Sequence, residues 1–592
     1  MEQKKSLSAV KAIRRSLPLT IRAVPFVCLG YIMLGALHGA AWGLTAPVNQ
    51  RLYDALANLV TGESILRYVY IAAVFVTLLM LAQQVANAVH NFFSSSILFR
   101  KNYCRLAIVL QKKLAQLQAI TYEDKDMLDD IEKAGHGIHG VTTIFMTTAD
   151  GIFFYGAFFA IMGTYLWRME PILLLALVFV FIPVLFSQIV EARLYAKLEE
   201  VSAPIRRQNG HYSDCLIGLQ MKKETRLFGA YYFFKNLFMG SLELLAQKEW
   251  STYKKITAIT LGLNFVKTAG WVGVLALLFR SFVQGNIGVG AFAAVFASVG
   301  TMFSFVEEFL ARVKQQVVEY LGQVHNLLNV LDIPTPEKEY AEPDFSQGIT
   351  VSGVEFAYPK ADKNAIDGVS LTIRPGETLA LVGENGSGKT TLVKLLCGLY
   401  KPDKGEVIIG GRNVMETSDA ALFAKTSGVF QNYGQYVFNL EENVRISQIT
   451  ADRDPRTAMD DADVDYKDER TFPKGLETIL SREFDGVDLS GGQWQRIATA
   501  RGLYRHHDFI VLDEPTAAID PIEETRVYKR FAELTAKKMA VLVTHRLGSV
   551  RIADKIAVMD KGKLVEMGTH ESLLANKGKY AEMWQAQAES YE

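Results

Sequence analysis

Residues 378–399 read TLALVGENGSGKTTLVKLLCGL. The stretch opens with five apolar or β-prone residues, turns through three glycines and continues in a run with helical spacing, so it predicts strand, tight loop, helix. Gly383 to Thr390 fit the pattern GxxxxGK[ST]. Glycines let backbone N–H groups turn inward around phosphate oxygens, and the helix that follows offers its positive end. Gly383, Glu384, Asn385, Gly386, Ser387, Gly388, Lys389, Thr390 and Thr391 are therefore expected to bind ATP, with Lys389 on the β- and γ-phosphates and Thr390 on Mg²⁺.

Downstream, Phe509-Ile-Val-Leu-Asp513-Glu514 is a buried-strand pattern ending in two carboxylates. At the C-terminal end of a parallel strand such groups face the crevice where nucleotides bind. Asp513 is placed to hold the Mg²⁺ shell and Glu514 to polarise an attacking water. From Ile349 onward, runs such as TLALVG, FIVLDE and AVLVTH alternate with helical stretches, the pattern of an α/β sheet with crossover helices. The acidic run MDDADVDYKDER, 459–470, reads as a solvated helical face. Upstream of this half, Ile333-Pro334-Thr335-Pro336 stops a helical pattern and is followed by acidic, polar residues to Gly348. The expected organisation is 1–332 as a membrane domain, 333–348 as a linker and 349–592 as the nucleotide-binding domain.

The N-terminal half differs in character. Hydrophobic residues make up 49% of the chain and charged residues 21%, with mean hydropathy +0.12, so part of the chain suits a membrane and part suits water. Spanning a bilayer takes roughly 20 apolar helical residues, because lipid offers no partner to an unpaired backbone group. Segments near 23–47, 66–92, 143–167, 170–192, 255–282 and 286–309 meet that test. The long links after the second and fourth are rich in Lys and Arg, as is the N-terminus, which places them on the cytoplasmic side. An even number of spans then leaves both termini and the C-terminal half cytoplasmic. The links LAIVLQKKLAQLQAI and 191–207 also read as helix, so the membrane helices continue well past the bilayer. The fold class is thus a membrane α-helical bundle of six spans with long cytoplasmic extensions, fused to an α/β phosphate-loop domain.

Other readings exclude functions. With 63 basic and 63 acidic residues, no overall field argues for a nucleic acid partner. Cys28, Cys104, Cys215 and Cys397 are far apart, form no CxxC and suggest neither a metal site nor a disulfide framework.

Leu489-Ser490-Gly491-Gly492-Gln493 lies just before the helical run WQRIATARGLY. Phosphate loop, LSGGQ and the Asp513-Glu514 strand in this set resemble the ATP-binding cassette family. The resemblance covers essentially the whole chain and implies the half-transporter exporter type, an ATPase whose hydrolysis is coupled to transport. It implies that Ser490 to Gln493 close on ATP bound by a partner subunit. Tyr358 in VEFAYP is similar to the aromatic that stacks on adenine, Gln431 in GVFQNY to the glutamine that contacts Mg²⁺ and water, and His545 in VLVTHR to the γ-phosphate histidine. Asp520 in AAID resembles the aspartate of the loop that communicates between the two ATP sites. By the same resemblance, 122–134 and about 225–234 are coupling helices that dock on the cassettes.

The stretch Ser481 to Gly486 departs from the TxVGExG run of drug and lipid exporters and, with Trp494 after the signature, is similar to bacterial peptide and bacteriocin exporters. A peptide is therefore the expected cargo, carried across a bacterial cell membrane, with a lipid or drug as the alternative and a regulatory membrane ATPase as a second. With the first span beginning by about residue 23, no peptidase-like extension is expected. Both halves of each composite site can come from this one sequence, so a second copy is the expected partner, and a heterodimer is compatible. Within the spans, Lys267, Asp150, His38 and Gln83-Gln84 stand out, since polar groups at membrane depth are costly and tend to face a cavity. Lys267 is the candidate for contact with the substrate.

Overall fold

The computed structural model describes residues 9–62, 65–218, 221–318, 320–335, 338–514, 530–533, 535, 538–545 and 547–589. Contacts divide the chain into two units: Met1–Ala115 with Asp129–Ile333, and Gln116–Leu128 with Pro334–Glu592.

The first unit is helical. Among the described residues, Pro25–Val60, Leu66–Ala115, Lys125–Met169, Tyr231–Val283 and Val289–Val317 are long and apolar enough to cross a membrane. The expected span at 170–192 lies in the helix Pro171–Ile217, whose apolar part is Pro171–Pro183; beyond it, side chains at 184, 185, 187–189 and 192 lie outside the described residues. Helices run far past the apolar stretches, as in the 53-residue Tyr231–Val283. The first span packs unusually closely on the third. A Cβ on Gly39 would lie 2.0 Å from the carbonyl oxygen of Phe154, so only glycine lets these backbones meet.

One helix has no counterpart in the sequence reading. Ala9–Ala23 precedes the first span and is strongly amphipathic, with Ala12, Ser16 and Thr20 buried along one stripe and Lys11, Arg14, Arg15 and Arg22 on its other faces. It ends where Val24 leaves helical geometry (φ −145°, ψ 62°) and Pro25 starts the span.

The second unit is an α/β domain with two sheets. One is antiparallel, with strands β1 (Ile349–Phe356), β2 (Ile366–Ile373), β4 (Lys404–Ile409) and β5 (Arg412–Asn413) in the order β2-β1-β4-β5. The other has the order β10-β9-β3-β8-β7-β6: β3 is Thr378–Val382, β6 Thr426–Val429, β7 Phe509–Asp513, β8 Met539–Val543, β9 Lys555–Asp560 and β10 Lys563–Gly568. All of its pairings are parallel except β9 with β10. Strands β7 and β8 are buried at every residue, as expected of strands covered on both faces.

Two local readings need correction. The acidic run 459–470 is helical only to Asp461: Asp463 turns left-handed (φ 53°), and Asp468 accepts from Arg470 N and Thr471 Oγ1 in a polar turn. Short acidic side chains that bond their own backbone compete with helix. The segment Gln116–Leu128, read as part of the membrane half, folds with the second unit. There Ala119 and Ile120 pack on the core, Glu123 accepts from Lys394 Nζ (3.3 Å) and from the Tyr400 hydroxyl, and Lys360 Nζ donates to Asp124 (2.7 Å) and Asp126 (2.8 Å). This part of the expected coupling segment is a 3₁₀ turn, Ala119–Glu123, followed by the start of the helix Lys125–Ala149.

Candidate functional site

The parallel sheet delivers three functional segments to one edge. β3, β8 and β7 are adjacent and run the same way, so the residues that follow them emerge side by side. After β3 comes the glycine loop, after Leu512 the pair Asp513-Glu514, and after β8 Thr544-His545. Together with Tyr358 and Gln431 they surround an open cavity of about 980 Å³. This is the crevice at the carboxyl ends of parallel strands where α/β sheets bind ligands.

The loop is built for an anion. Gly383 adopts φ +151°, and a Cβ there would lie 2.2 Å from Met559 O, so glycine is required by conformation and by space together. Gly388 (φ +102°) caps the helix Lys389–Leu396 without a side-chain hydrogen bond, and the first residues of that helix line the cavity. Lys389 is buried and donates to the carbonyls of Gly383 (2.9 Å) and Glu384 (3.0 Å). Burial pushes its pKa down, against the opposing pull of Glu514 and Asp513. A phosphate would restore the charge partner that burial makes valuable.

The carboxylates differ in setting. Asp513 is 1% exposed, accepts from the Thr390 hydroxyl at 3.4 Å, and has a second oxygen with no partner. Burial raises its pKa, opposed by the Thr390 hydrogen bond. Ser387 Oγ is also buried without a partner. Orphaned oxygens of this kind, a carboxylate beside a hydroxyl, fit the hard-cation chemistry of Mg²⁺. Glu514 is held on both oxygens: Gln431 Nε2 donates to Oε2 at 3.0 Å, and His545 Nδ1 lies 3.5 Å from Oε1. Its backbone is left-handed (φ +49°), a costly state for a non-glycine residue, and is secured by N–H donation to Val543 O (3.0 Å).

The adenine-side candidate, Tyr358, shares a hydrogen bond with Thr391 Oγ1 (3.0 Å) and packs edge-on to Phe356 and Tyr400. Ser490 to Gln493 do not line the cavity. They form a helix start, in which Ser490 Oγ accepts from Gln493 N (3.3 Å) and Gln493 Oε1 accepts from Ser490 N (2.8 Å), a closed capping box on Gly491–Tyr504. The structure thus brings together Tyr358, the glycine loop, Gln431, Asp513, Glu514 and His545, and leaves the signature apart. Asp520 lies outside the described residues.

Sequence reasoning missed several neighbours. Lys363, Asn364 and Lys561 also line the cavity, and the C-terminal helix Lys579–Glu589 touches the site twice: Lys579 Nζ donates to Glu384 (2.9 Å), and Gln587 Nε2 donates to His545 O (2.9 Å). No motif marks them, because remote turns and a terminal helix deliver them. His507, just before β7, is 4% exposed, with Nδ1 2.6 Å from Arg505 O; burial lowers its pKa to about 4. The unfolded chain, with a value near 6.5, takes up that proton first. Stability from this group is complete above pH 6.5 and is lost as pH falls toward 4, by up to about 3 kcal/mol. Urea unfolding of the wild type between pH 7.5 and 4.5 should therefore fall more steeply than that of His507→Asn; equal slopes would remove His507 as the cause.

In the membrane half, Asp150, His38, Gln83 and Lys267 find partners, while Gln84 is exposed. Asp150 accepts from the Tyr31 hydroxyl (2.7 Å) and from Arg312 Nη1 (3.4 Å), with His90 Nε2 at 3.5 Å. His38 Nε2 accepts from Trp42 Nε1 (3.2 Å), and Gln83 donates to Ala41 O (3.0 Å) and Thr45 Oγ1 (2.8 Å). Three π-helical turns adjoin the Asp150 cluster in sequence: Phe93–Leu98 after His90, Asp150–Tyr155, and Val313–Val318 after Arg312. Lys267 pairs with Glu307 on the last span at 2.5 Å, a partner the sequence reading did not name.

Comparison with known proteins agrees with this construction. Residues 366–517 match the family described as ABC transporter. The subtilin transport ATP-binding protein SpaT of Bacillus subtilis is 26% identical over 559 residues, 90% of this chain and 88% of that protein. An ATP-dependent lipid A-core flippase of Photobacterium profundum is 33% identical over 323 residues, 53% of this chain and 54% of the flippase. A solved structure of a bacterial Atm1-family ABC exporter with ATP bound shares the fold, with TM-score 0.77 at 19% identity over 97% of this chain and 99% of that one. The chain carries an ABC transporter domain over residues 366–517 and shares the fold of a solved ABC exporter along nearly its whole length.

Proposed function

We propose that two copies of this chain form an ATP-driven exporter of the cell membrane, with the cassettes in the cytoplasm and a peptide as cargo. The observation that carries the reading is the division of the ATP site. Lys389, Thr390, Gln431, Glu514 and His545 line one cavity, with Asp513 bonded to Thr390 at its edge, while Ser490 to Gln493 of the same chain do not line it. A cavity that opens toward solvent and a preformed second anion nest elsewhere suit two chains arranged head to tail, each completing the other's site.

In this reading the glycine loop and Lys389 bind the β- and γ-phosphates, and Tyr358 meets the base. Mg²⁺, held by Thr390, Asp513 and Gln431, would offset phosphate charge. Glu514 accepts the proton of the attacking water, and His545 fixes the γ-phosphate beside it. ATP closes the cassette pair only to the extent that it binds the closed state better, and hydrolysis removes the contacts that favour closure.

The peptide assignment is supported by similarity to a subtilin transport protein along nine-tenths of the chain; the flippase likeness supports a lipid and spans about half of each chain. ATPase stimulation in proteoliposomes separates them. Cationic and neutral peptides are expected to stimulate hydrolysis, and lipid A or hydrophobic cations to leave it unchanged; the reverse would reassign the cargo.

Lys267 tests the membrane path. It pairs with Glu307 on the last span, so Glu307→Gln serves beside it as the control for loss of the pair itself. Lys267→Ala is expected to keep basal ATPase and lower peptide stimulation several-fold. Unchanged stimulation would exclude contact with cargo.

A further inference from the structure

A second binding site lies far in sequence from the cassette, where the amphipathic helix Ala9–Ala23 meets the first span. There the chain bends at Val24 and Pro25, and a cleft of about 470 Å³ opens between this bend and the helix Leu66–Ala115. Its apolar side comes from Val24, Pro25, Phe26, Val27 and Ile108, and its cationic side from Arg100, Lys101 and Arg105. Arg22 stands on the last turn of the amphipathic helix, one residue before Ala23 at the cleft. Among the described residues none of these four cations has an ion-pair partner, whereas the neighbouring Arg15 is paired with Asp332 at 2.6 Å.

Two independent features set the depth of the cleft. An amphipathic helix that breaks into an apolar span marks the plane where chain enters bilayer. Along the facing helix, Arg100 is the first Lys or Arg after Arg67, so it marks the end of that helix's uncharged run on the Lys- and Arg-rich side. Both place the cleft at the level of lipid headgroups. Phe26 is 87% exposed beside it, an aromatic ring facing outward where acyl chains begin.

We propose that this cleft binds an anionic phospholipid, with the phosphate among Arg100, Lys101 and Arg105 and the acyl region along Phe26, Val27 and the bend. Unpaired cations above an apolar wall match a molecule that is anionic at one end and apolar at the other. A zwitterionic headgroup returns its own positive charge to the cluster and gains less. The site rests on the reading of Pro25–Val60 and Leu66–Ala115 as membrane spans and is independent of the ATP reaction.

The test is lipid retention by the full-length chain in detergent, measured by native mass spectrometry after equilibration with mixed micelles of phosphatidylglycerol and phosphatidylcholine. The wild type is expected to retain phosphatidylglycerol selectively. Since each basic residue near an anionic surface adds to attraction, the triple variant Arg100→Gln, Lys101→Gln, Arg105→Gln should retain about tenfold less or lower. Arg100→Lys with Arg105→Lys should keep the lipid, which separates charge from shape, and an unchanged helical circular dichroism melt in detergent reports that the membrane half of each variant is folded. Equal retention by the wild type and the Gln variant would overturn the proposal, as would equal retention of phosphatidylcholine. Displacement of the lipid by millimolar inorganic phosphate would also overturn it, since the site would then read phosphate and not lipid.

Discussion

Glu514→Gln is expected to stop steady-state ATP hydrolysis while ATP stays bound, with kcat lowered by about 10²–10⁴-fold, the range contributed by a positioned general base. The geometry explains why so small a change should do so much. Glu514 is held from two sides, by Gln431 at 3.0 Å and by His545 at 3.5 Å, at a backbone position that is strained for a side-chain-bearing residue. Gln retains the size and can still meet Gln431, so the pocket should keep its shape. It cannot take a proton from water. The expected signature is an unchanged nucleotide affinity with a long-lived ATP-bound state, seen by radiolabelled ATP retention. Hydrolysis at the wild-type rate would remove Glu514 from the role of base and direct attention to His545.

Asp150→Ala is expected to cost the membrane half about 1–3 kcal/mol, because it orphans the buried Tyr31 hydroxyl and takes one of two carboxylates from the half-exposed Arg312. Tyr31, 2% exposed, donates to Asp150 at 2.7 Å, and Arg312 reaches its other oxygen. Arg312 keeps Glu308 at 2.6 Å, so the larger loss falls on Tyr31. The double variant Asp150→Ala with Tyr31→Phe should then be more stable than Asp150→Ala alone, a coupling that a double-mutant cycle on detergent-solubilised protein measures. Additive losses would mean that the two residues do not act as a unit. The adjoining π turns give this cluster a further interest, since such turns accompany positions where helices must adjust.

The cassette was legible because its chemistry is local. A strand, a glycine loop and a helix occur in one run at 378–399, and Asp513-Glu514 and His545 each end an apolar strand, so the sequence shows both the residue and its address. The spans were legible for a similar reason, since lipid demands long apolar helices. What escaped the sequence is what the topology brings from afar. Lys579 and Gln587 reach Glu384 and His545 from the C-terminal helix, Glu307 lies forty residues from Lys267, and Arg312 crosses from the last span to Asp150. For the segment Gln116–Leu128 the expectation of docking came from the family resemblance alone, because helical periodicity carries no sign of which body a turn will join. Its acidic residues 123, 124 and 126 meet cations supplied by the cassette, a pairing visible only once both are placed.

The separation of Ser490 to Gln493 from the phosphate loop of their own chain has a genetic consequence. Lys389→Ala and Ser490→Arg should each silence a uniform population of chains. If two copies complete each other's sites as proposed, the two alleles expressed together pair so that one site collects both lesions and the other collects none. Mixed pairs should then recover part of the activity that neither allele shows alone, whereas a single copy carrying both changes, mixed with either allele, rescues nothing. Under the proposed pairing, one working site would be written across two copies of the gene.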